Sequence, residues 1–150
     1  MNSRSTGLEL IGPPWSQLTA YDLNKGTIAW RVPDGEVTAL ARQGKTGLGS
    51  QAPRGGVVVT AGGLVLFAGN DSKLYALDKE TGKLICTKDL PNGSLGVPAV
   101  YEVNGRQYVL LAVAGGNPFP AGGRMAPGGV HSPATSKSYI AFALPDPKKP

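Results

Sequence analysis

The stretch "ALDKETGKLIC" at residues 76–86 repeats, in register, the stretch "AYDLNKGTIAW" at residues 20–30. Ala20 corresponds to Ala76, Asp22 to Asp78 and Gly26 to Gly82, and Trp30 falls where Cys86 falls. Each copy reads as a strand, a turn closed by glycine, and a returning strand. Asp caps such turns with its side chain, and Gly supplies the positive φ that a tight reversal needs. A 150-residue chain that repeats a hairpin 56 positions later is built from recurring units.

Working outward, four apolar segments follow one another at 56–60, 64–69, 73–78 and 83–88. They are joined by "AGG", "NDS" and "KETG", all turn-forming. The pattern restarts at 96–102, turns at "VNG" and returns at 107–113; after a long loop a last strand follows at 138–144. Before the complete unit stands the hairpin 18–23 and 27–31. "LFAG" (66–69) matches "LLAVAG" with an offset of 46, pairing Ala68 with Ala114, and "LYALD" (74–78) matches "YIAFA" (139–143) with an offset of 65. The spacing predicts nine strands in consecutive groups of two, four and three. Antiparallel four-stranded units repeated radially make a β-propeller; two face-packed sheets are the competing arrangement. "GEVTALARQG" (35–44) is expected to form no more than one short helical turn, since glycines flank it.

Composition agrees with an all-β, turn-rich chain. There are 22 Gly and 13 Pro beside 41% hydrophobic residues, too many for a disordered chain. The net charge of +5 is scattered, with no basic stripe and no interleaved aromatics, so nucleic acid is not an expected partner. The one cysteine makes no internal disulfide, and no signal peptide or transmembrane segment is visible. "GKTGLGS" (44–50) lacks the earlier glycine and the strand–loop–helix setting of a phosphate loop.

The repeated A-x-D-x-x-x-G-x-x-x-W resembles the tryptophan-docking motif of PQQ-dependent (quinoprotein) dehydrogenases. "PPWSQLTAYDLNKGTIAWRVPDGE", "GGVVVTAGGLVLFAGNDSKLYALDKETGKL", "VPAVYEVNGRQYVLLAVAGG" and "YIAFALP" are similar, in order and spacing, to the C-terminal part of the membrane glucose dehydrogenase-like branch. The resemblance covers residues 13–145, between an irregular segment at 1–12 and a tail at 146–150. It implies a partial β-propeller of two to three four-stranded blades from an eight-bladed ring. In such a ring Trp30 ties its blade to the next, and Cys86 takes the matching place one blade on, as a small buried apolar contact.

The resemblance also implies a function: the C-terminal propeller portion of a sugar or alcohol dehydrogenase that passes hydride from substrate to quinone. The cofactors implied are PQQ and a divalent metal, calcium or magnesium, held by upstream residues outside this chain. The family's catalytic Asp lies upstream too, so no catalytic or metal residue is assigned here. Two positions match cofactor contacts. Arg54 lies in "SQAPRGG" (50–56), where relatives carry a different side chain and where Pro53 replaces the usual Asn; its planar fork suits a carboxylate of PQQ. Asn117 follows Gly115 and Gly116, which allow close approach of backbone to a ligand. Asp22 and Asp78 read as turn-stabilising, and His131, alone in a Gly/Pro/Ser loop, as a solvated residue. The partners implied are the remaining blades of the parent protein, a small sugar or alcohol and a respiratory electron acceptor. The implied compartment is the periplasm. A non-catalytic PQQ-like propeller serving as a protein-interaction scaffold is the alternative.

Overall fold

The computed structural model describes residues 10–50, 55–114 and 137–145. Nine strands and one four-residue helix lie among them. The order is β1 (Gln17–Asp22), β2 (Thr27–Pro33), α1 (Thr38–Ala41), β3 (Val57–Val59), β4 (Leu64–Ala68), β5 (Lys73–Asp78), β6 (Leu84–Asp89), β7 (Ala99–Val103), β8 (Arg106–Ala114) and β9 (Lys137–Ala143). They form antiparallel sheets of two, four and three strands, each in sequential order. That is the grouping the repeats predict. The helix is the single turn allowed between the flanking glycines.

The sheets stack in succession, and alternation along the strands decides what they share. Val65, Phe67, Tyr75 and Leu77 point from the middle sheet toward the first and are covered by Leu18, Trp30 and Val32. Ala68 and Leu74 point the other way, against Leu111 and Val113 of the third sheet, with Ile140 and Phe142 beside them. The middle sheet is therefore apolar on both faces, and β4 and β5 are buried almost throughout. Phe67 and Tyr75 are cross-strand partners, with stacked rings 4.7 Å apart. A pair of this kind adds to what burial alone supplies.

The two copies of the hairpin fold alike. Gly26 N donates to Asp22 O at 2.8 Å and Gly82 N to Asp78 O at 2.9 Å, with φ of 65° and 69° at the two glycines. Each is followed by a register shift at the same place, between Ala20 and Tyr21 and between Ala76 and Leu77. The shift sets Trp30 opposite Ala20 and Cys86 opposite Ala76. Trp30 then reaches the second hairpin turn. Its Nε1 donates to Lys79 O at 2.8 Å. Its ring lies over Gly82, where an added Cβ would stand 2.6 Å from Cδ2.

Cys86 differs from the expectation: it is exposed. The sequence of the third sheet departs from the docking pattern. Ala143 stands where Asp78 stands, so no carboxylate caps a turn there. The next carbonyl, Leu144 O, is occupied by Arg106 Nε at 2.7 Å. A tryptophan at position 86 would find neither the free carbonyl nor the glycine that Trp30 uses. The internal match is also corrected at one ladder. Tyr139 pairs with Ala112, two residues from Ala114, because β8 is longer than its counterpart β4. A two-residue shift preserves which face each side chain takes.

The turn carboxylates carry a pH prediction. Asp22 accepts from Asn24 N and Lys25 N and pairs with Lys25 Nζ at 3.1 Å; Lys25 holds its carboxyl below the usual range. Asp78 accepts from Thr81 Oγ1 at 2.7 Å and from two backbone amides; the Thr81 hydroxyl bond is the main cause of its lowered pKa. Depressed carboxylates contribute stability that is present above the ordinary value of 3.8 and lost as pH falls through the folded value. Acid unfolding of Asp78→Asn is therefore expected to be shallower below pH 3.8 than that of the parent chain, as circular dichroism titration would show. An unchanged acid limb would contradict this role.

Candidate functional site

One end of the stack gathers the segments of chemical interest. The strand polarity brings to that end the end of β2, the start of β3, the β4–β5 turn, the end of β6, the start of β7 and the end of β8. Residues 34–50 fold back over the start of β1. Ser50 N donates to Ser16 Oγ and to Asp34 O, both at 2.8 Å, and Ser16 Oγ donates to Asp34 O at 3.0 Å. Gly49 makes this possible: its φ is 72°, and a Cβ there would lie 2.4 Å from Ser16 O. From the other side, residues 93–96 clamp the middle sheet to the third. Ser94 N donates to Gly69 O at 3.1 Å and Ser94 Oγ to Ala112 O at 2.8 Å, with Ser94 only 1% exposed.

Between these stitches lies a small cleft, partly open to solvent. Its walls include backbone of Gly55, Gly56 and Gly69, the hydroxyl residues Ser50 and Ser94, and Asp34. Gly56 is held tight by Val97, whose Cγ2 would lie 2.6 Å from a Cβ at that position. The cleft is thus lined by glycine backbone and hydroxyl residues. No lysine or arginine lines it among the described residues.

Behind the cleft sits a buried acidic cluster that the sequence reading missed. Asp71, 9% exposed, accepts through Oδ2 from Glu36 N at 3.0 Å and, in a short bond, from the Tyr75 hydroxyl. Its Oδ1 is buried without a partner, as is Oε2 of Glu36. Burial raises the Asp71 carboxyl above the usual range, although the bonds from Tyr75 and Glu36 oppose the shift. Burial, and then the Asp71 charge, raises Asp34. Burial and the Asp71 bond hold Tyr75 firmly as a phenol that donates. The signal available in sequence was the "NDSKLY" spacing, which sets Asp71 and Tyr75 four apart, with "PDGE" as the facing segment. Neither is distinctive without the fold that brings 34–36 against 71.

The two cofactor contacts expected from sequence, Arg54 and Asn117, lie outside the described residues, as do Pro53 and His131. Their described neighbours are placed. Gly55 lies beside Ala68 O and Gly96 O, and Ala114 N donates to Gly93 O at 3.2 Å. Both belong to the end of the stack that carries the cleft. Among the described residues no group of three His, Cys, Asp or Glu is arranged to hold a metal ion, and no helix is long and apolar enough to cross a membrane.

Comparison with known proteins bears on the whole of this architecture. Residues 1–109 match the family described as "PQQ: Glucose/ethanol/alcohol dehydrogenase, beta-propeller domain". The chain is 36% identical to the glycerol dehydrogenase large subunit of Gluconobacter oxydans, over 95% of this chain and 18% of that protein. It is 31% identical to the quinoprotein glucose dehydrogenase of the same organism, over 91% of this chain and 16% of that one. Among solved structures, a quinohemoprotein alcohol dehydrogenase from Pseudomonas putida HK5 superposes with a TM-score of 0.51 at 28% identity, covering 65% of this chain and 12% of that chain. The chain therefore spans less than a fifth of the length of these relatives. Three stacked antiparallel sheets, a tryptophan docked on the neighbouring sheet's turn and the match over residues 1–109 together make this chain a member of the PQQ-dependent dehydrogenase β-propeller family.

Proposed function

We propose that the chain forms the C-terminal propeller portion of a periplasmic PQQ-dependent sugar or alcohol dehydrogenase. Its membership of a family of such dehydrogenases carries the reading. Relatives that are themselves named dehydrogenases weigh against the scaffold alternative. When bound, PQQ supplies a quinone that takes up the hydride of the substrate carbon. This chain's share is to build one wall of the cofactor site. The Gly55–Gly56 backbone and the Ser50 and Ser94 residues line that wall. The described walls carry no cation, whereas a tricarboxylate needs one. Arg54, next in sequence to Gly55, is assigned that role through a bidentate fork, and Asn117 that of an amide donor. The base and the metal ligands come from other parts of the parent protein, and the electrons leave to a respiratory acceptor.

PQQ titration of the full-length parent, followed by the change in cofactor absorbance, tests the reading. Saturable binding is expected, and Arg54→Ala is expected to weaken it about a hundredfold, the loss of a two-bond fork to a charged group. Absence of saturable binding would overturn the function. Normal binding by the variant would overturn only the role of Arg54.

A further inference from the structure

We propose that the Asp71 carboxyl is a proton-binding switch in the joint between the first and second sheets, tightening the joint when protonated and straining it when ionised. Asp71 sits in the β4–β5 turn of the second sheet, while Glu36 and Asp34 belong to the segment that follows β2 of the first. The groups facing Asp71 from the packed elements are Asp34 and Glu36, both acidic, and Tyr75, a neutral donor. Lys73, on its own side of the turn, is the cation that acts on it among the described residues.

Two buried carboxylate oxygens without partners, Asp71 Oδ1 and Glu36 Oε2, lie in one cluster. An ionised oxygen in that position is buried and has no hydrogen-bond partner among the described residues, which is costly. A proton on Oδ1 removes the charge and leaves both bonds to Oδ2 intact. Gly69 provides the room: a Cβ at that position would lie 2.5 Å from Oδ1. The joint includes the Glu36 N–H bond to Asp71, so the charge on one carboxyl is read by both sheets.

The sign follows from the raised carboxyl. A group with a raised folded value contributes stability that is complete below its unfolded value, 3.8, and is lost as pH rises through the folded value. This window lies above that of Asp22 and Asp78, so the two effects separate. Each unit of upward shift makes about a tenfold change in the folding equilibrium across the window. Denaturant unfolding of the chain, followed by tryptophan fluorescence at several pH values, reads it. Stability is expected to rise as pH falls from 8 toward 4; Asp71→Asn, which mimics the protonated group, is expected to reduce the rise to the part carried by buried Asp34 and to be at least as stable as the parent at pH 8. A rise unchanged in Asp71→Asn, or a less stable variant at pH 8, would overturn the switch. Should Asp71→Asn fail to fold, Asp34→Asn decides. It removes the Asp34 share of the rise, and the share left is expected to be that of Asp71; loss of the whole rise in Asp34→Asn would overturn the proposal.

Discussion

Replacing Trp30 by alanine is expected to lower stability by about 3 kcal/mol, near the bottom of the range for truncating an indole, because the ring is half-buried. The loss has two parts. The ring covers Val65, Phe67, Tyr75 and Leu77, and its Nε1 bonds to Lys79 O at 2.8 Å. Trp30→Phe keeps most of the first part and drops the second, so a loss of about 1 kcal/mol is expected. Gly82→Ala attacks the same contact from the other side. Its φ of 69° is unfavourable for any side chain, and a Cβ would strike the indole. Because Trp30→Ala vacates that space, the two changes should combine to less than their sum. Urea unfolding of the four chains measures this; strict additivity, or a loss below about 1 kcal/mol for Trp30→Ala, would show that the indole does not join the sheets.

The second large effect concerns association. The outer edge of β9 is unpaired among the described residues, and residues 138–143 carry no charge. The face of the third sheet turned away from the middle one exposes Tyr101, Val103 and Tyr139, at 42%, 48% and 77%. At the other end of the stack, β1 pairs only with β2 among the described residues, and a two-stranded sheet has little stability of its own. A long apolar edge of this kind recruits other strands. The 150-residue chain by itself is therefore expected to self-associate at high concentration. Ala141→Lys, at an exposed position of β9, should shift it toward monomer. Light scattering after size-exclusion chromatography would show the difference. A parent chain that stays monomeric throughout would defeat the prediction.

Much of the fold was legible because its signals are local. Turn chemistry at Asp22–Gly26 and Asp78–Gly82, and alternation in 64–68 and 73–78, mark strands without knowledge of their neighbours. The place of Trp30 against the next sheet followed from the resemblance to the tryptophan-docking motif, not from the repeat alone. Cys86 is exposed, and its burial depends on the third sheet, whose sequence has Ala143 where the middle sheet has Asp78. The acidic cluster was illegible for a related reason. Glu36 and Asp71 are 35 residues apart, and an aspartate in a turn has the same local pattern whether it faces water or a neighbouring sheet.

The docking of Trp30 on Lys79 and Gly82 has a consequence for how the chain acquires its structure. Every strand pairing joins neighbours in sequence, so each sheet closes through short loops. The indole contact spans 49 residues and needs the β5–β6 turn already in place. Closing a loop of that length costs chain entropy, which contacts on a preformed surface offset. The middle sheet should therefore order first and the β1–β2 hairpin last. In native-state hydrogen exchange the amides of β4 and β5 would be the slowest, and those of β1 and β2 would open together as a separate unit.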